Sequence, residues 1–186
     1  MRFLLRIIPS GPDIGSVTRI VRGIASSIGG KAVNPKRTSY GALEMDVFVQ
    51  SREDFDIFMA AIEPLGEIEF YRDLQEAPRF LPTADAVAEA VSLFNTERFW
   101  EAHEVLESLW RAAQGDEKRL LQGLILVCAA FVHEQKGEKG VALGVAKRSL
   151  PLLSWTDRKY QGIDVDSVQR TLAGMVADEK LSLFTL

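Results

Sequence analysis

The segment from Phe99 to Trp110 carries one histidine and several glutamates at spacings that suit a single helix face. His103 and Glu107 are four residues apart, so a helix would place their side chains one turn apart on the same stripe. An imidazole nitrogen and a carboxylate oxygen in this arrangement can hold a divalent metal ion. Glu104 would then accept a proton from metal-bound water. These residues make a metal-dependent hydrolase one candidate function.

The pattern is similar to the His-Glu-x-x-His helix of metalloproteases, but it is incomplete. Glu107 stands where the second histidine would be, so the protease motif itself is absent. The other histidine, His133, falls on the polar stripe of a later apolar helix. It would supply a further metal ligand if the two helices are antiparallel neighbours. The residues expected to line such a pocket are Trp100, Trp110 and Gln122.

The same stripe also has a structural interpretation, which the sequence leaves open. It borders a face that must pack inward and that consists of Phe99, Ala102, Leu106, Leu109 and Ala113. A histidine and a glutamate beside a core can form a buried hydrogen-bond network that orients the helices. Glu101 is expected nearer the solvent side.

The elements that would position these residues are helical throughout residues 83–186. The apolar periodicity predicts an all-α bundle of about five helices. The third is apolar nearly all round, so we expect it at the centre of the bundle. The predicted helices begin with one capped by Thr83, continue over roughly 97–113, 117–135 and 140–150, and end with one capped by Asp164.

Residues 1–75 alternate strand and helix signals in the order β-α-β-β-α-β, which predicts a ferredoxin-like sandwich. The clearest strand alternates apolar residues such as Met45 and Val47 with polar ones, whereas the polar stretch 31–40 makes the second strand the weakest. Ser51 with Asp54 resembles a capping box.

Residues 76–82 are predicted to be a linker, because Pro78 and Pro82 limit helix formation. The predicted fold class is therefore α+β, with a sandwich followed by a helical bundle.

The helical region resembles a known family. The segments that carry the resemblance are Phe94-Asn95, Phe99-Trp-Glu-Ala-His-Glu-Val-Leu-Glu with Trp110, Leu120-Leu-Gln-Gly-Leu-Ile, Gly140 to Leu153 and Tyr160-Gln-Gly-Ile-Asp-Val. Together they resemble domain-of-unknown-function family 309 over residues of about 83–170. The resemblance implies a small all-helical bundle, and family members are sometimes labelled predicted metal-dependent hydrolases. The matching candidate residues are His103, Glu104 and Glu107.

Composition limits the location and the partners. The chain has 186 residues and a net charge of -4, so its charge does not favour nucleic acid or an anionic membrane. The longest apolar run, from Leu120 to Val132, is shorter than the ~20 residues of a membrane span. Arg6 interrupts the apolar start, unlike a signal peptide. The one cysteine, Cys128, excludes an intramolecular disulfide and fits a reducing compartment. We expect a cytoplasmic protein.

Two functions remain open. In the first, the helical domain binds a divalent metal or a small ligand and hydrolyses a substrate there. In the second, the His-Glu stripe only braces the bundle, and the protein is a non-enzymatic interaction or assembly module that binds a partner or forms a homo-oligomer through its sheet. RNA binding is disfavoured because the strands lack the aromatic pattern of RNA-binding sheets. The residues of that weaker hypothesis are Lys31, Lys36, Arg37 and Tyr40.

Overall fold

The computed structural model describes residues 1–11, 13–75 and 81–186. The chain divides into two compact units, Met1–Arg79 and Phe80–Leu186, called here the N-terminal unit and the helical unit. Each unit has its own hydrophobic core. Pro12 and residues 76–80 of the predicted linker lie outside the described residues.

The described part of the N-terminal unit contains a four-stranded sheet and two α-helices. In chain order its elements are β1 (Arg2–Pro9), α1 (Ile14–Ser27), β2 (Lys31–Arg37), β3 (Leu43–Phe48), α2 (Arg52–Ile62), a 3₁₀ helix (Glu63–Leu65) and β4 (Gly66–Asp73). The strands are antiparallel and lie in the order β2-β3-β1-β4. A sheet unit followed by a helical unit confirms the predicted α+β class.

Alternation along the strands explains the core of the N-terminal unit. Phe3, Leu5 and Ile7 project from one side of β1, because successive strand residues point to opposite faces. They are buried together with apolar residues of α1 and α2. The predicted capping box is present at the start of α2, where the Ser51 hydroxyl accepts from the Asp54 N–H and the Asp54 carboxylate accepts from the Ser51 N–H.

Polar residues of the sheet depart from the expected burial. Glu44 and Lys36 are charged, yet they are only 3% and 5% exposed. They belong to a cluster that we call the sheet network. Its members are Arg6, Lys36, Tyr40, Glu44 and Glu69.

Glu44 is the centre of the sheet network. Its Oε2 accepts from Nε and Nη2 of the fully buried Arg6 at 3.2 and 2.8 Å. Its Oε1 lies 2.5 Å from Nζ of Lys36. Burial by itself would lower the pKa of Arg6, but Glu44 and Tyr40 more than offset it, and the net shift is upward. Lys36, one of the residues of the RNA-binding hypothesis, is therefore buried in an ion pair.

The helical unit consists mainly of helices packed around one long central helix. Its elements are α3 (Thr83–Asn95), α4 (Phe99–Ala112), α5 (Gly115–Gln135), α6 (Lys139–Ser149), a 3₁₀ helix (Leu150–Leu152), the strands β5 (Lys159–Tyr160) and β6 (Ile163–Asp164), and α7 (Val165–Ala177). The described residues of the whole chain thus contain seven α-helices.

Helix α5 occupies the centre of the helical unit, as its apolar sequence predicts. Leu120, Leu124, Val127 and Cys128 are fully buried along it. A Cβ atom on Gly123 would lie 3.1 Å from a side-chain atom of Leu152, so this position suits the close approach of the neighbouring 3₁₀ helix.

Two predictions for this unit were wrong. The region is not all-α, because Lys159–Tyr160 and Ile163–Asp164 pair as a small antiparallel hairpin. Its turn uses left-handed backbone at Gln161 and Gly162, with φ of 46° and 96°, as a two-residue hairpin requires. Thr83 does not cap α3 but is its first residue, since the N-cap is Pro82. The predicted cap at Asp164 is present and accepts from the Ser167 N–H.

Candidate ligand site on helix α4

The apolar face of α4 anchors the candidate residues to the bundle. Phe99, Ala102 and Leu106 are at most 1% exposed, as their spacing predicts. The Phe99 ring lies 4.9 Å from the ring of Phe94 in α3 and 5.1 Å from that of Phe131 in α5. These contacts fix the rotation of α4 about its axis, so the next stripe of the helix lies at the edge of the core.

Trp100 and His103 form the centre of that stripe. Their rings are stacked, with centroids 5.2 Å apart and planes 7° from parallel. Both side chains are half-buried. The indole Nε1 of Trp100 and the imidazole Nδ1 of His103 are inaccessible to solvent, and neither has a hydrogen-bond partner among the described residues. We call this pair the Trp-His stack.

Two carboxylates flank the Trp-His stack. Glu104 follows Trp100 by four residues and Glu107 follows His103 by four, so each lies one helical turn from its ring. Both glutamates are half-buried. The Glu107 carboxylate also accepts from Nη2 of Arg111 at 3.1 Å, on the solvent side of α4.

Within the described part of the chain, His133 pairs with Glu138 rather than with the residues of the stack. Its Nδ1 lies 2.5 Å from Oε2 of Glu138, just beyond the end of α5. The hydrogen bond to His133 lowers the pKa of Glu138. The backbone N–H of Glu138 also donates to the His133 carbonyl. These two contacts with Glu138 place His133 at the C-terminal end of α5.

The predicted metal site therefore lacks a donor set in the described part of the chain. No group of three His, Cys, Asp or Glu residues there is placed to hold a metal ion. His133 and Glu107 are engaged by Glu138 and Arg111. The residues as placed do not fit the metal that the family label implies, and no reaction step through a metal follows from them.

Two other predicted pocket residues lie toward the far end of the stripe. Trp110 contacts Lys118 of α5, whose Nζ is 4.4 Å from the centroid of a Trp110 ring. Gln122 follows Lys118 by one turn and is half-buried. Trp110 is ten residues from Trp100, which is about 15 Å along a helix. Lys118 therefore contacts the opposite end of α4 from Trp100.

Glu101 is a charged residue of α4 whose exposure was wrongly predicted from the sequence. It is 1% exposed rather than solvent-facing. Arg98 binds it in a bidentate pair, with Nε and Nη2 at 2.6 and 2.7 Å from the two carboxylate oxygens. Their i,i+3 spacing was the available signal. Glu97 precedes this pair in a left-handed conformation, with φ of 57°, and its carbonyl accepts from Nε2 of Gln135 at 2.9 Å. These contacts position the start of α4.

Residues 87–145 match the model of a family described as Domain of unknown function (DUF309). This segment includes the Trp-His stack and Lys118, and the match confirms the predicted family resemblance over these residues. The match does not extend to the N-terminal unit.

Two further proteins are similar to the chain. An uncharacterized protein of Aquifex aeolicus (strain VF5) is 25% identical over 99 residues, which are 53% of this chain and 30% of that protein. The chain thus spans less than a third of that relative's length. A crystal structure of a conserved hypothetical protein from Thermus thermophilus is 30% identical with a TM-score of 0.43, and the match covers 53% of this chain and 99% of that one.

Among the described residues, no helix combines the length and the apolar character that crossing a membrane requires.

Proposed function

We propose that the helical unit binds a small molecule on α4 and that Trp100 and His103 are the binding residues. One observation carries the proposal, which is the pair of buried nitrogens without hydrogen-bond partners in the Trp-His stack. Buried polar atoms are satisfied in the large majority of cases. Two exceptions on adjacent, stacked and half-buried rings mark a place where a ligand would complete the hydrogen bonding once the side chains that cover these nitrogens move aside.

The energetics support a binding role over a bracing role. A buried nitrogen that lacks a partner costs about 1–3 kcal/mol. A residue kept only to brace the helices would be expected to form hydrogen bonds in return for that cost. Destabilising side chains are instead typical of positions retained for activity. This reasoning needs no metal, and it assigns Glu104 a flanking position rather than the role of a general base.

The test is the stability of His103→Phe. Phenylalanine keeps a ring against Trp100 but removes the unsatisfied Nδ1, so we expect the ligand-free chain to gain about 1 kcal/mol of stability. Urea unfolding followed by circular dichroism measures the change. A gain in stability identifies His103 as a residue that the fold does not need.

The matched control is the same substitution at His133, whose Nδ1 is bonded to Glu138. His133→Phe is expected to give no gain. If His103→Phe instead destabilises the chain, the stripe braces the bundle, and the competing function, a non-enzymatic assembly module, gains support.

For the N-terminal unit we propose a ferredoxin-like sandwich. The support is the β-α-β-β-α-β order of its elements and the antiparallel strand order β2-β3-β1-β4. A cytoplasmic location also stays a proposal, which rests on the single, buried Cys128.

A further inference from the structure

The two edges of the N-terminal sheet are protected to different degrees against pairing with another strand. β2 and β4 form these edges, and among the described residues no further strand pairs with either of them on the outer side. Proteins block exposed edges with proline, lysine and irregular backbone. β2 has Pro35, an exposed Lys31 and left-handed backbone at Asn34, with φ of 53°. β4 contains neither proline nor lysine, so it is the less protected edge.

Alternation along β4 decides which of its backbone groups point away from β1. In an antiparallel ladder, residues that exchange hydrogen bonds with one neighbour alternate with residues whose groups point to the other side. The Leu74 N–H donates to the Arg2 carbonyl and the Ser10 N–H donates to the Leu65 carbonyl, which sets the alternation at both ends of the ladder. Between these ends the register passes one bulge, at Glu69. The residues whose backbone groups point outward are Gly66, Ile68, Tyr71 and Asp73.

These outward residues are complementary to a second copy of the same strand. Their spacing is the same in both directions along β4, because the bulge lies at its centre. Hydrogen bonds between two antiparallel strands form where outward residues face each other. One register achieves this for all four, with Gly66 facing the partner's Asp73 and Ile68 facing the partner's Tyr71. The twofold axis repeats both pairs, as an isologous interface requires.

The side chains fit the same register. Ile68 packs against the core and the Tyr71 ring lies 5.2 Å from the ring of Phe55, so both project to the helix side of the sheet. Tyr71 is nevertheless 46% exposed, and a facing pair of an aromatic and a β-branched residue stabilises a sheet. On the other side Glu67 stands opposite the partner's Arg72. An exposed ion pair adds little stability, but the register places no two carboxylates opposite each other.

We propose that two copies of the chain pair antiparallel through β4 and join their N-terminal sheets into one continuous sheet. The occupant of the edge is a second copy rather than an unrelated strand, because the bulge gives the outward residues a spacing that an identical strand in the reverse direction matches. The pairing lies entirely in the N-terminal unit and does not involve the Trp-His stack.

The first experiment is sedimentation equilibrium of the full chain at increasing concentration, where we expect a reversible monomer–dimer equilibrium. Proline has no N–H, so Tyr71→Pro removes an outward donor that β1 does not use, and an edge strand tolerates it. The dimer dissociation constant should rise about tenfold or more. Tyr71→Phe keeps both the ring and the N–H. As the matched control it should dimerise like the unaltered chain.

Cross-linking tests the register and does not depend on the folding of Tyr71→Pro. Glu67 and the partner's Arg72 would form a facing pair without hydrogen bonds between them, whose Cα atoms are about 4.5 Å apart, a distance that suits a disulfide. A mixture of Glu67→Cys and Arg72→Cys chains should therefore oxidise to a covalent dimer. In Glu67→Cys alone the two new thiols are about 17 Å apart along the strands, so this control should not cross-link. The buried Cys128 is the same in all samples.

The outcomes decide the pairing without reference to the ligand site. A chain that stays monomeric at every concentration overturns the proposal. A dimer that tolerates Tyr71→Pro, or whose cysteine mixture cross-links no faster than Glu67→Cys alone, also overturns it, because its interface is then not the proposed β4 register. A dimer that Tyr71→Pro weakens and that cross-links only in the mixture supports it. If Tyr71→Pro does not fold, the cross-linking comparison decides alone.

Discussion

The sheet network and the Trp-His stack are both polar groups at the edge of a core, and they differ in how completely they are satisfied. In the network, each guanidinium nitrogen of Arg6 donates to Glu44 or Tyr40. In the stack, two buried nitrogens have no partner in the described residues. We infer that the sheet network stabilises the fold and that the Trp-His stack is kept for ligand binding.

Among the described residues, Arg2 Nε is the third buried side-chain nitrogen without a hydrogen-bond partner. It does not weaken the distinction, because the same guanidinium reaches Asp46 through Nη2 at 3.1 Å. The two stacked nitrogens have no comparable alternative contact in the described part of the chain, so the two sites should respond to mutation with opposite signs.

The largest expected effect is in the network. Glu44→Gln keeps the side-chain size but leaves Arg6 and Lys36 buried without their carboxylate. Breaking a buried ion pair by removing one partner costs about 3–5 kcal/mol, so the urea midpoint should fall sharply. Glu67→Gln, at an exposed position of β4, is the matched control and should leave the midpoint unchanged. Equal midpoints for the two variants would contradict a structural role for the network.

The second effect concerns Cys128, in the core of the unit that carries the stack. Burial raises the pKa of its thiol to about 12. The folded chain should therefore not react with Ellman's reagent at pH 8, whereas the urea-unfolded chain should react at once. An immediate reaction of the folded chain would contradict the packing of α5.

The same shift predicts a pH dependence with a defined sign. An unfolded thiol ionises near its ordinary pKa of about 8.5, while the folded thiol keeps its proton up to about pH 12. The stability contribution is complete below the unfolded pKa and is lost as the pH rises toward the folded one, by about 1.4 kcal/mol per unit. Unfolding curves from pH 7 to pH 10 measure it, and Cys128→Ala should flatten the dependence.

Periodicity was sufficient to predict the apolar framework of both units. The inward face of α4, with Phe99, Ala102 and Leu106, follows from spacing alone. Apolar residues at this spacing lie on one side of a helix, and that side packs against the core. The central position of α5 follows in the same way. The short hairpin at Tyr160 was missed, because a strand of two residues has too little alternation to be recognised.

The burial of Glu101 had one local signal, its i,i+3 spacing from Arg98. The burial of Glu44 could not be predicted from the sequence, because Arg6 reaches it only in three dimensions. Arg6 is 38 residues from Glu44, so no local sequence pattern predicts this ion pair. His133 was grouped with His103 because both lie on polar stripes, but the turn after α5 brings Glu138 to it instead.

A smaller effect tests directly whether mutations in the sheet network and in the Trp-His stack change stability with opposite signs. Tyr40→Phe removes one hydroxyl and keeps the ring, as His103→Phe keeps a ring at its own position. The Tyr40 oxygen accepts from Arg6 Nη1 at 3.0 Å and donates to Glu69 at 2.8 Å. Losing these bonds should cost about 1 kcal/mol, measured by urea unfolding. A gain in stability for Tyr40→Phe would remove the distinction between the network and the stack.

The smallest effect concerns the contact between Lys118 and Trp110. Lys118→Met keeps most of the side-chain stem but removes the cation from the face of Trp110, which should cost about 0.5–1 kcal/mol in urea unfolding. Lys147→Met, at an exposed position of α6, controls for the general loss of a surface charge. An equal cost for Lys118→Met and Lys147→Met would contradict a stabilising contact between Lys118 and Trp110.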